Sequence, residues 1–228
     1  MSEKSVVYCS GPMFSPEEKA TMAQIASILE NAGYATYLPQ RDGIEVARVM
    51  KLINTPLVEI TLAEPLTQLV RKAVFCLDMY QVLIRCESLV FNMDGRVPDE
   101  GSVVETTAGF TAGKPLVIYK NDPITMLNGQ DNPMISGLSY TFKTIDDINK
   151  IPDELKSVTA KVLAAGPNPF VENMPPFVRD VTKFGNDVWN FLQTFRLFEA
   201  KEEDFLDFLK KLVKFGQESI VFNRIHWH

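Results

Sequence analysis

Four short apolar runs constrain this chain most: Ser5 to Ser10, Tyr34 to Leu38, Ser88 to Asn92 and Leu116 to Tyr119. Each has the length and the apolar or β-branched content of a buried strand, and helix-compatible segments separate them. Pro16 opens a helical pattern over Glu17 to Asn31, with Ala20, Ile25, Ile28 and Leu29 on its apolar face and Gly33 just past its end. Gly11-Pro12 closes the first strand, and Pro39 with the polar turn Gln40-Arg41-Asp42-Gly43 closes the second. Glu45 to Leu57 and Leu62 to Arg85 are helix-compatible, with Pro56 and Pro65 expected to interrupt or begin elements. Thr106 to Ala112 is predicted to form the helix after the third strand, and Gly113-Lys114-Pro115 its stop. Strands alternating with helices imply a parallel sheet covered on both faces, with its ligand beyond the carboxyl ends of the strands.

The remainder reads as a loop over Asn121 to Gly137, a strand near Ser139 to Thr144 and a helix from Asp147 to Leu163. The linker Ala164-Ala165-Gly166-Pro167-Asn168-Pro169 then marks a change of composition. Beyond it Phe184, Trp189, Phe191, Phe205, Phe208 and Phe215 fall at helical spacings suited to packing. The expected organisation is an α/β domain over residues 1–163 and an aromatic-rich helical extension over 164–228.

With 46% apolar residues in 228, the chain can bury a proper core. Its net charge of -6 and the lack of a Lys/Arg stripe argue against a nucleic-acid backbone partner, but not against small nucleotides or nucleosides. Cys9, Cys76 and Cys86 lie in or beside apolar runs without zinc-knuckle or redox-pair spacing, so they are expected to be reduced and buried. The N-terminus MSEKSVVYCSGPMF lacks the pattern of a signal peptide, and no apolar run reaches membrane-spanning length, so a cytoplasmic location is expected. His226 and His228 are two apart, too few ligands for a metal site; neither a metal nor a cofactor is expected.

The chemistry concentrates in MDGRVPDEGSVVETTAGFTAGKP, Met93 to Pro115, where acidic residues follow a buried strand. A solvated loop with a helix cap is one reading. The other pairs Asp99 with Glu105 across a cleft, as a nucleophile and a proton-handling acid at a glycosidic bond, with Asp78 as a further candidate acid. Asp94 reads as a turn residue. Spacing alone leaves these readings open.

Several motifs taken together carry a resemblance. The loop Val7-Tyr8-Cys9-Ser10-Gly11-Pro12-Met13-Phe14, Asp78 before the third strand, Asp99-Glu100-Gly101-Ser102-Val103-Val104-Glu105, and Gly113-Lys114-Pro115 resemble the nucleoside 2-deoxyribosyltransferase family, which extends to deoxynucleoside-monophosphate N-glycosidases. The resemblance covers roughly Ser5 to Met134. It implies a flavodoxin-like, doubly wound α/β fold, with Glu105 as nucleophile, Tyr8 orienting its carboxylate, and Asp78 and Asp99 addressing the base and its proton. It also implies substrate contacts from Gly11, Pro12, Phe14, Gln40, Arg41 and Asp42. Asn132 and Met134 would reach the sugar's 5'-hydroxyl from a neighbouring subunit, making the protein a homo-oligomer that binds deoxynucleosides and free nucleobases. The implied activity is transfer of 2-deoxyribose between bases. The rivals are an N-glycosidase acting on deoxynucleosides or their 5'-monophosphates and a non-catalytic nucleotide-binding sensor. The chain departs from the shorter transferases in continuing about sixty residues past the core, and Arg41 is the feature that keeps a phosphate-bearing substrate in view.

Overall fold

The four apolar runs pair into one all-parallel sheet in the order β2-β1-β3-β4: β1 is Val6–Ser10, β2 Ala35–Tyr37, β3 Ser88–Asn92 and β4 Leu116–Tyr119. This is the order of the first four strands of a flavodoxin-like sheet, with no fifth strand among the described residues, and β1 lies next to the point where the order reverses. The computed structural model describes residues 4–55, 58, 60–95, 97–122, 130–194 and 202–218. The chain divides into two compact units, one formed by residues 1–38 and 81–173, the other by residues 39–80 and 174–228.

In the first unit, alternation along the strands separates two faces. Val7, Cys9, Val90 and Val117 pack with Met22, Ile25 and Leu29 of α1 (Pro16–Asn31) and with Ile151, Leu155 and Val158 of a C-terminal helix, Ile151–Ala164. Tyr8 and Ser10 therefore point to the opposite face, the side that carries the helix after β3, Glu100–Thr111. There Gly109 lets that helix approach the sheet: a Cβ at this position would lie 2.7 Å from Leu89 Cδ1. Helix α1 begins as its sequence requires, Ser15 and Glu18 closing a reciprocal capping box ahead of Pro16.

The second unit is helical. In chain order it holds α2 (Pro39–Asp42), α3 (Val46–Ile53), α4 (Ile60–Tyr80), and the last two helices of the chain, Pro176–Leu192 and Glu202–Glu218. In the first unit the helices are α1, α5 (Glu100–Thr111), α6 (Pro133–Ser136) and α7 (Ile151–Ala164), so the last two are α8 and α9. Val49, Leu52, Leu69, Val70, Leu77, Phe184, Val188, Phe208 and Leu212 form one buried cluster. Phe191 contacts Phe208 and stacks on Phe215, so these tail aromatics are packing residues, as their spacing suggests. Gly185 allows α8 to touch α4, since a Cβ there would fall 2.0 Å from the Cys76 carbonyl oxygen.

Several expectations are corrected. The helix after β3 begins at Glu100 rather than Thr106, because Asp99 caps it. Residues 139–144 form no strand: Tyr140 and Phe142 have φ of 62° and 56°, outside extended backbone, and β4 gains only an isolated parallel bridge from Tyr119 to Ile145. Gln40, Arg41 and Asp42 lie in a helical turn, α2, and Pro65 lies inside α4 instead of interrupting or beginning it, at the cost of one backbone hydrogen bond in the second turn. Pro56, His226 and His228 lie outside the described residues. Cys9, Cys76 and Cys86 are buried and form no disulfide, and among the described residues no helix is long and apolar enough to cross a membrane.

Candidate active site

Because the strands are parallel, Ser10, Asn92 and Tyr119 end β1, β3 and β4 at one edge of the sheet. Helix α5 starts from this same edge, and Glu105 lies in its second turn. Tyr8 and Ser10, two residues apart on β1 and fully buried, share the face turned toward α5. The Tyr8 hydroxyl donates to Glu105 Oε1 at 2.8 Å, and the Ser10 hydroxyl donates to Oε2 at 2.6 Å. The Tyr8 ring is itself stacked on Tyr37 of β2, with centroids 5.3 Å apart. One strand thus supplies a donor to each oxygen of one carboxylate.

Burial pushes the Glu105 carboxyl up to about 7; the hydrogen bonds from Ser10 and Tyr8 oppose that rise, and the nearby Asp99 charge adds to it. A carboxylate that ionises near neutrality, held by two donors at the carboxyl edge of a parallel sheet, can serve as a nucleophile or a base. Asp99 is half committed elsewhere: its Oδ2 accepts from the Ser102 N–H and hydroxyl, both at 2.7 Å, as the cap of α5. The cap reading and the site reading of Asp99 are therefore compatible. Asp94 is a turn residue, its Oδ1 accepting from the Asn121 and Asp122 N–H groups and so joining the loops that leave β3 and β4.

The loop after β1 is tightly fitted. A Cβ on Gly11 would come within 2.4 Å of Met22 Sδ and 2.8 Å of Asn92 Cβ, so only glycine fits without a shift. Pro12 is buried, whereas Phe14 is 84% exposed, its backbone N–H donating to Glu18. Asn132 caps the short α6 through Oδ1, and Met134 in that helix is 80% exposed. The residue before Asn132 is anchored: Asp131 pairs with Lys120 at 2.5 Å, and both side chains are almost wholly buried.

Asp78, Gln40, Arg41 and Asp42 belong to the second unit. Asp78 is partly exposed in the last turn of α4. Arg41 makes a bidentate pair with its own neighbour Asp42, both bonds being 2.9 Å, which offsets the positive charge that a phosphate would seek. The structure thus brings Tyr8 and Glu105 together as expected. It adds Ser10 and the Lys120–Asp131 pair, which sequence reasoning missed. For Ser10 the signal was present: a hydroxyl two residues after Tyr8 on a strand must share its face. Among the described residues no group of acidic, His or Cys side chains could hold a metal ion.

A family model described as nucleoside 2-deoxyribosyltransferase matches residues 7–155. Among solved structures the chain is similar to a crystal structure of a conserved protein from Enterococcus faecalis V583, at 18% identity and a TM-score of 0.47, over 68% of this chain and 99% of that one. Comparison with curated proteins finds no match.

Proposed function

The chain belongs to the nucleoside 2-deoxyribosyltransferase family, and from that premise we propose that it moves 2-deoxyribose between nucleobases through a covalent intermediate on Glu105. Family membership supports glycosyl transfer, with nucleosides and nucleobases as the substrate class. The observation that carries the finer reading is the convergence of Tyr8 and Ser10 on the two oxygens of Glu105.

In the first step an oxygen of ionised Glu105 attacks C1' of the sugar. The C1'–N bond breaks, its electron pair leaves with the base, and an acid protonates the base. Asp78 takes this role, or Asp99 through Oδ1, the oxygen not engaged in its cap. In the second step a nitrogen of the incoming base attacks C1' from the opposite face, its proton passes to the same carboxylate, and the C1'–O bond returns its electrons to Glu105. Two inversions give overall retention. Tyr8 holds the carboxylate; Gly11, Pro12 and Phe14 line the approach; Gln40, Arg41 and Asp42 address the base. Asn132 and the exposed Met134 serve a neighbouring copy, so the working form is a homo-oligomer, and the engagement of Arg41 by Asp42 favours a nucleoside over a nucleotide. Residues 1–163 form the catalytic domain in this reading, 164–228 its extension, and no cofactor takes part.

The test is incubation with deoxyadenosine or thymidine plus an excess of a different free base, with chromatography of every nucleoside and base and a deoxynucleoside monophosphate in parallel. A new deoxynucleoside that needs both protein and acceptor is the expected result. Free base without a new nucleoside would replace transfer by hydrolysis, and no cleavage across a broad panel would overturn the catalytic reading in favour of a binding protein.

A further inference from the structure

We infer that Ser10 is a positioning residue for Glu105, the second donor that fixes the carboxylate in one rotational state; the inference rests on the nucleophile reading above. The terminal torsion of a glutamate is broad and roughly two-fold, so a single donor on one oxygen leaves the plane free to turn. Tyr8 on Oε1 and Ser10 on Oε2, at 2.8 and 2.6 Å, remove that freedom. The two donors come from positions roughly 6.6 Å apart along one strand. They still meet one carboxylate because the side chains differ in length: the long phenol reaches from the earlier position, and the short hydroxymethyl acts from the later one.

Ser10 is wholly buried and lies on the α5 face, away from the apolar packing of Val7 and Cys9. A buried hydroxyl needs a partner, and among the described residues Glu105 provides it for Ser10. A hydroxyl can also accept, so Ser10 stays satisfied when Glu105 is protonated. Its hydrogen bond favours the ionised form, in opposition to the burial that pushes Glu105 up to about 7. Loss of the hydroxyl must therefore move ionisation of Glu105 to higher pH, whereas a purely structural role for Ser10 would lower activity equally at every pH.

The experiment compares wild type, Ser10→Ala and Ser10→Cys, each checked for folding by circular dichroism. Glu105 is titrated by carbon-13 NMR of side-chain-labelled glutamate, assigned with Glu105→Gln, and the kcat/KM of transfer is followed from about pH 5.5 to 9. Ser10→Ala is expected to raise the midpoint of Glu105 and to move the acid limb of kcat/KM up with it. A further loss of about tenfold on the alkaline plateau reports the lost orientation. Ser10→Cys, with a weaker donor, should fall between the two. An unchanged Glu105 midpoint in a folded Ser10→Ala or Ser10→Cys protein, or a pH-independent loss of activity, overturns the inference. If wild type proves inactive while the midpoint still moves, the nucleophile reading falls and the hold of Ser10 on the carboxylate stands.

Discussion

The two edges of the parallel sheet are built differently. At the carboxyl edge Tyr8, Ser10 and Glu105 meet in a small, hydrogen-bonded cluster. At the amino edge, where Ser88 begins β3 and Pro115 precedes β4, there is a crevice of about 630 Å³ lined also by Lys114, Val162, Leu163 and Val171. The amino-edge crevice gathers no comparable set of polar groups: Leu163 and Val171 are more than half exposed, and the Lys114 ammonium donates to the Cys86 carbonyl at 2.8 Å. What sets the carboxyl edge apart is the convergence of two donors on one desolvated carboxylate, which is why the proposed chemistry is placed there.

The comparison can be broken most directly at Glu105. With Glu105 as the proposed nucleophile, Glu105→Gln should lower transfer by about 10⁴-fold while the affinity for a deoxynucleoside stays within a few-fold, since the shape is kept; calorimetry beside the transfer assay reads both, and normal turnover would move the chemistry elsewhere. Tyr8→Phe removes one hydrogen bond to a charged group and should cost about 10- to 100-fold in kcat/KM, measured in the same assay. A loss below twofold would mean that Ser10 alone holds the carboxylate.

Stability gives a further test. The Glu105 carboxyl stands at about 7 in the fold, raised chiefly by burial, against an ordinary value of about 4.3 in the unfolded chain. The folded state therefore binds the extra proton between those values; the stability tied to protonated Glu105 is complete below the lower value and is lost as pH rises through the upper one. Glu105→Gln should then stabilise the protein by on the order of 2 kcal/mol at pH 8 and by little at pH 4.5, read as the midpoint of thermal or urea unfolding. An equal change at both pH values would remove the ionisation argument. The smallest effect is expected at the other edge: Leu163→Ser should leave kcat/KM within about twofold, as for a surface change remote from chemistry. A collapse of activity in this variant would show that the amino-edge crevice takes part.

The strands were legible because each is a short apolar or β-branched run; β1, β3 and β4 are buried along almost their whole length, Ser88 to Asn92 at every residue, while β2 at the sheet edge is only partly buried. Helix α5 starts at Glu100, ahead of the run from Thr106, and the cap reading of Asp99 is the one that its bonds to Ser102 bear out. Ser139 to Thr144 looked like a strand from its Tyr, Thr and Phe, yet left-handed backbone at Tyr140 and Phe142 turns the chain away and leaves only the bridge at Ile145. The grouping of residues 39–80 with 174–228 depends on aromatic and aliphatic packing across a long interval of sequence, which periodicity does not encode. The pairing of Tyr8 with Glu105 was legible only through family resemblance, because no local pattern links positions 97 residues apart. Ser10 needed nothing more than the two-residue period of a strand.

That separation has a consequence for how the chain becomes competent. Both donors are synthesised early on β1, and their acceptor arrives 95 and 97 residues later on α5. No fragment ending before α5 holds the constellation, and local helix formation cannot assemble it. Contacts between distant segments of a chain form slowly, because loop closure must be met before they contribute. Recovery of turnover in the transfer assay after dilution from denaturant should thus report the moment when β1 and α5 find each other, and lag the return of helical signal.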